Sequence, residues 1–332
     1  YALYAIEAEL SLLIRNANPE CQLLPILGSV LDEDRITQVL KQYGVQTVYH
    51  AAAYKHVPLV EHNVLQGVQN NALGTAVVAS VAKKLNIERF ILISTDKAVR
   101  PTNVMGATKR LAEIVVQRLA AENHSHTIFS MVRFGNVLGS SGSVVPLFKK
   151  QIEQGGPITV THPEINRFFM TIPEAASLVI QAGSMAKGGD VFVLDMGEPV
   201  KIADLAKQMI RLSGRTVKDS SNPAGDIEVV FSGLRPGEKL YEELLIGNNA
   251  AGTEHPKILT ADEVFASREE LDRVLMGIRK AIDENDSQTA RQLLIHIVKD
   301  FTPSSSNVDL LQNSQAKQTN NVIKVGSLRT RP

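Results

Sequence analysis

Cys21 is the one cysteine in 332 residues, so an internal disulfide framework is excluded and the chain suits a reducing compartment. Charge of one sign is missing too. Lys+Arg and Asp+Glu each number 35, no net field draws the chain to nucleic acid, and any basic patch would have to be local. No apolar run approaches the roughly 18 residues that span a bilayer, and no signal peptide opens the chain. Membrane contact is therefore expected only through residues outside this sequence. What is there, 44% hydrophobic and 21% charged residues, is an ordinary globular composition, enough for one large core or a core with a smaller lobe.

Short apolar runs of strand length alternate with helical periodicity. The opening YALYAIEAELSLLIRN reads as a helix already under way, with neither cap nor strand before Tyr1, so the native chain is expected to begin upstream. Gln22 to Leu27 reads as a buried strand. Asp32 is placed to cap a helix carrying Ile36, Val39 and Leu40 that stops near Gly44. Val45 to His50 is a second strand, followed by Ala51-Ala52-Ala53. Small residues there admit a backbone or a flat cofactor, and close helix and strand packing is the plainer explanation of them taken alone.

One helix is expected over Glu61 to Lys84, then strands at Ile87 to Ile93 and Thr127 to Arg133 on either side of a helix from Met105. This alternation is the pattern of βαβ units and a doubly wound parallel sheet. From Gly139 onward, Gly, Ser and Pro clusters break the chain into short pieces. Pro173 to Ala186 reads as a helix and Val191 to Leu194 as a further strand of the main sheet. Ile202 to Ser213, Ile227 to Phe231 and Glu238 to Leu245 alternate helix, strand and helix. Two helices follow, near Arg268 to Glu284 and Ser287 to Lys299. A cofactor-binding domain over 1–138 and 164–200 and a smaller α/β substrate lobe over 139–163 and 201–301 are expected, and 302–332 reads as a disordered tail.

The stretch FILISTDKAVRPTNVMGATK, residues 90–109, carries the densest chemistry. A buried strand stops at Ser94-Thr95-Asp96-Lys97, and Met105 and Lys109 share the face of the helix that follows. In open parallel sheets ligands bind beyond the carboxyl ends of the strands, so Thr95, Asp96, Lys97 and Lys109 are expected to converge. Two lysines and a carboxylate would supply an acid, a base and an electrostatic partner. A turn with a helix cap is the plainer explanation of Ser94-Thr95-Asp96 alone. His50, His56 and His62 recur at a spacing that matches neither a helix face nor one side of a strand, so no metal site is expected. Arg235 and Glu238 flank a Pro-Gly turn that serves either as a surface turn or as an anion clamp.

HAAAYKHVPLVE at 50–61, NNALGT at 70–75, STDKAVRPTNVMGATK at 94–109, RFGNVLGSSGSVVPLF at 133–148, GPITVTHPEINRFFMTIPEA at 156–175 and LRPGEKLYEELL at 234–245 together resemble the nucleotide-sugar 4,6-dehydratases of the extended short-chain dehydrogenase/reductase superfamily. They are most similar to the long, membrane-anchored UDP-N-acetylglucosamine 4,6-dehydratases of bacterial surface-polysaccharide synthesis. The resemblance covers roughly residues 1 to 300, and six ordered motifs make it more specific than any single pattern. There are two departures. The family's first strand and glycine-rich, pyrophosphate-cradling loop are absent from this sequence. Met105 stands where the wider superfamily has the tyrosine of Tyr-x-x-x-Lys, a replacement for which the long dehydratases are known.

The resemblance implies a Rossmann-like fold and a redox-neutral lyase using NAD or NADP, with NAD favoured. It implies UDP-N-acetylglucosamine as partner, a homo-oligomer, and a place on the cytoplasmic side of the inner membrane through an upstream anchor. Ala51, Ala52, Ala53 and Lys55 would line the cofactor, Asn71 would support the sheet beside it, and Lys109 would hold the nicotinamide ribose. Thr95 would bond the sugar near carbon 4, with Asp96 as acid, Lys97 as base and Met105 beside them. His56, Asn136, Arg167, Arg235 and Glu238 would hold the nucleotide sugar, with Ile158 and Thr159 near its base. These roles call for a raised Asp96 pKa and a lowered Lys97 pKa, both expected from desolvation. A UDP-sugar 4-epimerase and a cofactor sensor without turnover are the alternatives.

Overall fold

In the computed structural model, which describes residues 2–122, 126–140, 142–243 and 250–314, the main sheet is built from alternating residues. Phe90 and Leu92 point to one side and Ile91 to the other, each face meeting its own helical layer, as the period of two in a strand requires. The chain enters through α1 (Ala2–Ala17) and α2 (Glu33–Gln42), whose N-terminus Asp32 caps by accepting the Arg35 N–H at 2.9 Å. Then come β1 (Thr47–His50), α3 (Val57–Glu61), α4 (Val64–Val68), a π turn (Gln69–Leu73) and α5 (Gly74–Lys84). β2 (Arg89–Ile93), α6 (Val104–Ala120) and β3 (Ile128–Arg133) complete this part.

The middle of the chain runs through β4 (Asn136–Val137), α7 (Val144–Glu153), β5 (Ile158–Val160), β6 (Asn166–Arg167), β7 (Phe169–Met170), α8 (Ile172–Met185) and β8 (Asp190–Leu194). β9 (Val200–Lys201), α9 (Ile202–Leu212), β10 (Val217–Lys218) and β11 (Ile227–Phe231) follow. After them come β12 (Ala250–Gly252), β13 (Ile258–Ala261), α10 (Arg268–Asp283), α11 (Ser287–Ile297) and α12 (Leu310–Ser314).

The six-stranded sheet has the order β1-β2-β3-β8-β13-β12, with the first four strands parallel and the last two antiparallel additions. Its register sets His50 beside Leu92 and Ile93 beside Val132. The loops after β1, β2 and β3 therefore open on one edge, the ligand edge of a doubly wound sheet. β5, β10 and β11 form a smaller parallel sheet that packs with α7 and α9 around Phe148, Ile158, Ile210 and Ile227. β12, β13, α10 and α11 fall in the range expected for the smaller lobe. In the fold the two strands extend the main sheet, and the two helices pack beside α6 and α4.

α6 was expected to bury one stripe. Every residue from Val104 to Gln117 is buried, because the sheet lies on one side of the helix and α4, α10 and α11 on the other. The charged residues of this buried stretch are consequently paired. Glu113 accepts from Arg133 Nε at 2.8 Å and Nη2 at 2.7 Å, from Arg110 Nη1 at 3.0 Å and from the Ser94 hydroxyl at 2.6 Å. These bonds tie the ends of β2 and β3 to the middle of α6.

Four local expectations are corrected. Residues 22–27 form no strand; Leu24 and Leu27 are exposed, and no described strand pairs with this segment, whose backbone gains no ladder from its apolar pattern alone. The helix over 61–84 is interrupted at His62-Asn63 and widened by the π turn. Residues 238–243 are not helical, and 244–245 lie outside the described residues. Residues 302–314, assigned to a disordered tail, dock: Thr302 and Ser304 donate backbone bonds to Pro101 and Thr102, and buried Asp309 accepts the Val64 N–H at 2.8 Å. Among the described residues no helix is long and apolar enough to cross a membrane.

Candidate active site

The turn after β2 begins with Thr95, whose hydroxyl caps the 3-10 turn Asp96–Ala98 and donates to Asp96 Oδ1 at 2.8 Å. Lys97 Nζ donates to the same oxygen at 3.0 Å and to Asn136 Oδ1 at 3.4 Å. Behind this turn the N-terminus of α6 comes very close: a Cβ at Gly106 would sit 2.1 Å from the Lys97 carbonyl oxygen. Asn103 caps α6 by accepting the Gly106 N–H at 2.8 Å, and its amide nitrogen donates to the Gly237 carbonyl at 2.9 Å. Lys239 Nζ reaches the Val99 carbonyl at 3.0 Å. The Arg235–Glu238 turn is thereby drawn over the end of β2.

A pocket of about 500 Å³ opens where these loops meet. Thr95, Lys97, Met105 and Lys109 line it together with Ala51, Ala53, Lys55, His56, Asn136, Thr159, Arg167, Arg235 and Glu238. Four of the residues singled out in the sequence do not line it. Asp96 is 1% exposed and lies beneath Thr95 and Lys97. Ala52 is exposed on the loop after β1. Ile158 is fully buried in the core of the smaller sheet, and its neighbour Thr159 turns toward the pocket and bonds Gln151. Asn71 sits behind the wall, where it accepts the Tyr54 N–H at 2.7 Å and donates to the Tyr54 carbonyl and the Thr108 hydroxyl at 3.0 Å. It lies in the π turn and holds the loop after β1 against α6.

Charge is distributed unevenly. Burial pushes Lys109 down to about 8, against the pull of Glu113, and its Nζ donates to the Ile93 carbonyl at 2.8 Å. Burial lowers His50 to about 4, with Lys109 adding to the effect; it lies under Phe90 and bonds Thr75. Lys97 departs from expectation. Burial works to lower its pKa, but the carboxylates of Asp96 and Glu242 outweigh burial and hold the ammonium above the ordinary lysine value. Glu242, which sequence reasoning passed over, is the residue that changes this balance. Its spacing four residues after Glu238 was the available signal, but that spacing meant something only once both were seen to face Arg167, at 3.6 Å for Glu238 and 3.8 Å for Glu242.

The small side chains at Ala51 and Ala53, the buried Lys109 with one carbonyl partner and spare N–H groups, and the apolar Met105 fit the nicotinamide and ribose end of a dinucleotide. A doubly wound sheet with a polar pocket at its carboxyl edge defines a Rossmann-type α/β protein, and the similarities that follow place it among the extended short-chain dehydrogenases/reductases. Residues 1–263 match the family described as polysaccharide biosynthesis protein, and the chain belongs to that family. It is 57% identical over 247 residues to the capsular polysaccharide biosynthesis protein CapD of Staphylococcus aureus, a match covering 74% of this chain and 39% of that protein. It is 35% identical over 229 residues to a protein of Rickettsia canadensis named UDP-glucose 4-epimerase, covering 69% of this chain and 63% of the relative. The solved structure of Pen from Bacillus thuringiensis is similar over 73% of this chain and 72% of its own, at 35% identity and a TM-score of 0.65. The chain thus spans well under half of the CapD relative.

Proposed function

We propose that the full-length protein is an NAD-dependent 4,6-dehydratase that converts UDP-N-acetylglucosamine to a UDP-4-keto-6-deoxy sugar for surface-polysaccharide synthesis. The observation that carries this is the Thr95–Asp96–Lys97 chain, bonded at 2.8 and 3.0 Å, with Thr95 and Lys97 on the pocket wall beside the thioether of Met105 and Asp96 beneath them. Bound NAD would supply the hydride acceptor for carbon 4 and the donor for carbon 6. Thr95 relays the carbon 4 hydroxyl proton to Asp96, since its hydroxyl donates to that carboxylate and a thioether can take no proton. Asp96, buried beneath Thr95, then returns that proton through the Thr95 hydroxyl to the hydroxyl leaving carbon 6. Lys97, stripped of its own proton, takes the one on carbon 5 and later returns a proton there. Lys109 holds the cofactor ribose, while Arg235, Arg167 and Asn136 grip the nucleotide sugar, the arginines at its diphosphate.

4-Epimerisation is the second possibility, favoured by the name of the Rickettsia relative. It needs no acid and base pair for elimination, so Asp96 and Lys97 would be left without work. Substrate deuterated at carbon 4 separates the two. A dehydratase gives a product lighter by one water with the label on carbon 6. Label back on carbon 4 of an undehydrated sugar refutes dehydration.

A further inference from the structure

The Asp96 and Glu242 carboxylates, 3.0 and 3.5 Å from Nζ, favour the ammonium form of Lys97, yet elimination needs its free amine, and Asp96 is already committed to the carbon 4 proton. Two chambers meet at Lys97. The larger holds the proposed substrate site; the smaller, of about 190 Å³, is also lined by Glu242, Arg167, Arg235 and Glu238. Glu242 lines the small chamber and not the large one. It is 7% exposed, and its Oε1 lies 3.5 Å from Lys97 Nζ and 3.8 Å from Arg167 Nε. Its Oε2 is buried with no hydrogen-bond partner among the described residues. A buried carboxylate oxygen without a donor is costly, and a proton relieves that cost.

We propose that Glu242 is a positioning residue that accepts the Lys97 ammonium proton and returns it after elimination. This rests on the dehydratase assignment. In the step an N–H bond of Lys97 breaks and an O–H bond forms on Glu242, turning an ion pair into a neutral amine and carboxylic acid with no net change of charge. The amine takes the carbon 5 proton, the resulting ammonium gives a proton back to carbon 5, and Glu242 restores the ammonium. Asp96, protonated from carbon 4, gives that proton to the departing hydroxyl, so the site ends as it began. The groups facing Glu242 tune it. Burial raises its affinity for a proton, Lys97 opposes, the Asp96 carboxylate adds to the rise, and Arg167 and Lys239 oppose further.

The test compares full-length wild type with Glu242→Gln and Glu242→Asp. In the wild type kcat falls as pH drops through the raised Glu242 pKa, because a protonated Glu242 can accept nothing. Glu242→Gln should lose that acid limb and run roughly a hundredfold slower near neutrality, recovering toward alkaline pH as Lys97 loses its proton to water, with KM within about twofold. Glu242→Asp keeps the limb at a reduced rate. A merely structural role would scale the whole profile, and an unaltered acid limb in Glu242→Gln overturns the proposal. Infrared pH-difference spectra of the substrate-free enzyme read the same residue without turnover: a protonated-carboxyl band present in wild type must be missing from Glu242→Gln. The same band in both proteins also overturns the proposal. A wild type that dehydrates nothing refutes the dehydratase assignment, and the infrared comparison still decides whether Glu242 carries a proton.

Discussion

Replacing Glu113 by glutamine should be among the most damaging single changes outside the pocket. Glu113 is fully buried, and although burial alone would raise its pKa, Arg133, Arg110 and the Ser94 hydroxyl bring it from 4.5 down to about 2. At about 1.36 kcal/mol per pH unit, that difference amounts to ~3 kcal/mol of stability. The folded-state pKa is depressed, so the contribution is complete above the unfolded value and is lost as pH falls through the folded one. Urea unfolding of the wild type should therefore weaken steadily from pH 4.5 toward pH 2. Glu113→Gln should lose about 3 to 5 kcal/mol at pH 7, because Arg133 keeps a buried charge with only Glu263 to answer it, and should show a shallower acid decline. The double variant Glu113→Leu with Arg133→Met removes both charges and leaves the Arg110–Glu263 pair at 3.0 Å. It should be more stable than Glu113→Gln alone. A Glu113→Gln protein within about 1 kcal/mol of wild type at pH 7, or with an undiminished acid decline, would show that this network is not what fastens α6 to the strand ends.

Met105→Leu should keep most of the turnover, since a thioether moves no proton, whereas Lys109→Ala should lower kcat/KM by roughly a hundredfold or more; steady-state kinetics on the full-length enzyme decide, and equal losses would contradict the separate roles of the two side chains. Gly106→Ala forces a methyl group against the Lys97 carbonyl and should cost about 1 to 3 kcal/mol in thermal or urea unfolding, with a fall in activity larger than the stability loss explains. Asp309→Ala removes the acceptor for the Val64 N–H, so it should cost ~1 kcal/mol and speed amide exchange in residues 302–314, an effect that a loose segment would not show.

Local chemistry was legible in the residues themselves. The Asp32 cap, the strands at 47–50, 89–93 and 128–133, and the helix carrying Met105 and Lys109 follow from patterns that need no distant partner. The convergence of Thr95, Lys97 and Lys109 was legible for a related reason, since parallel strands send all their carboxyl-terminal loops to one edge, whereas Asp96, expected with them, lies beneath the pocket wall. What failed depended on partners. A strand at 22–27 requires a neighbour that periodicity cannot supply, and a polar-rich end at 302–314 docks because Asp309 meets an unpaired helix N–H far away in sequence. The ionisation of Lys97 was misjudged because desolvation is a local expectation, whereas two carboxylates facing one ammonium are not. Asp96 adjoins Lys97 in the chain, but Glu242 arrives from 145 positions away, within 3.5 Å of Lys97 in a structure where α6 and the Arg235–Glu238 turn are bonded together. The sequence alone determined which groups stand at the strand ends; the tertiary structure decided which of them carry charge, because charge at a buried site is set by whatever the rest of the fold brings within a few ångströms.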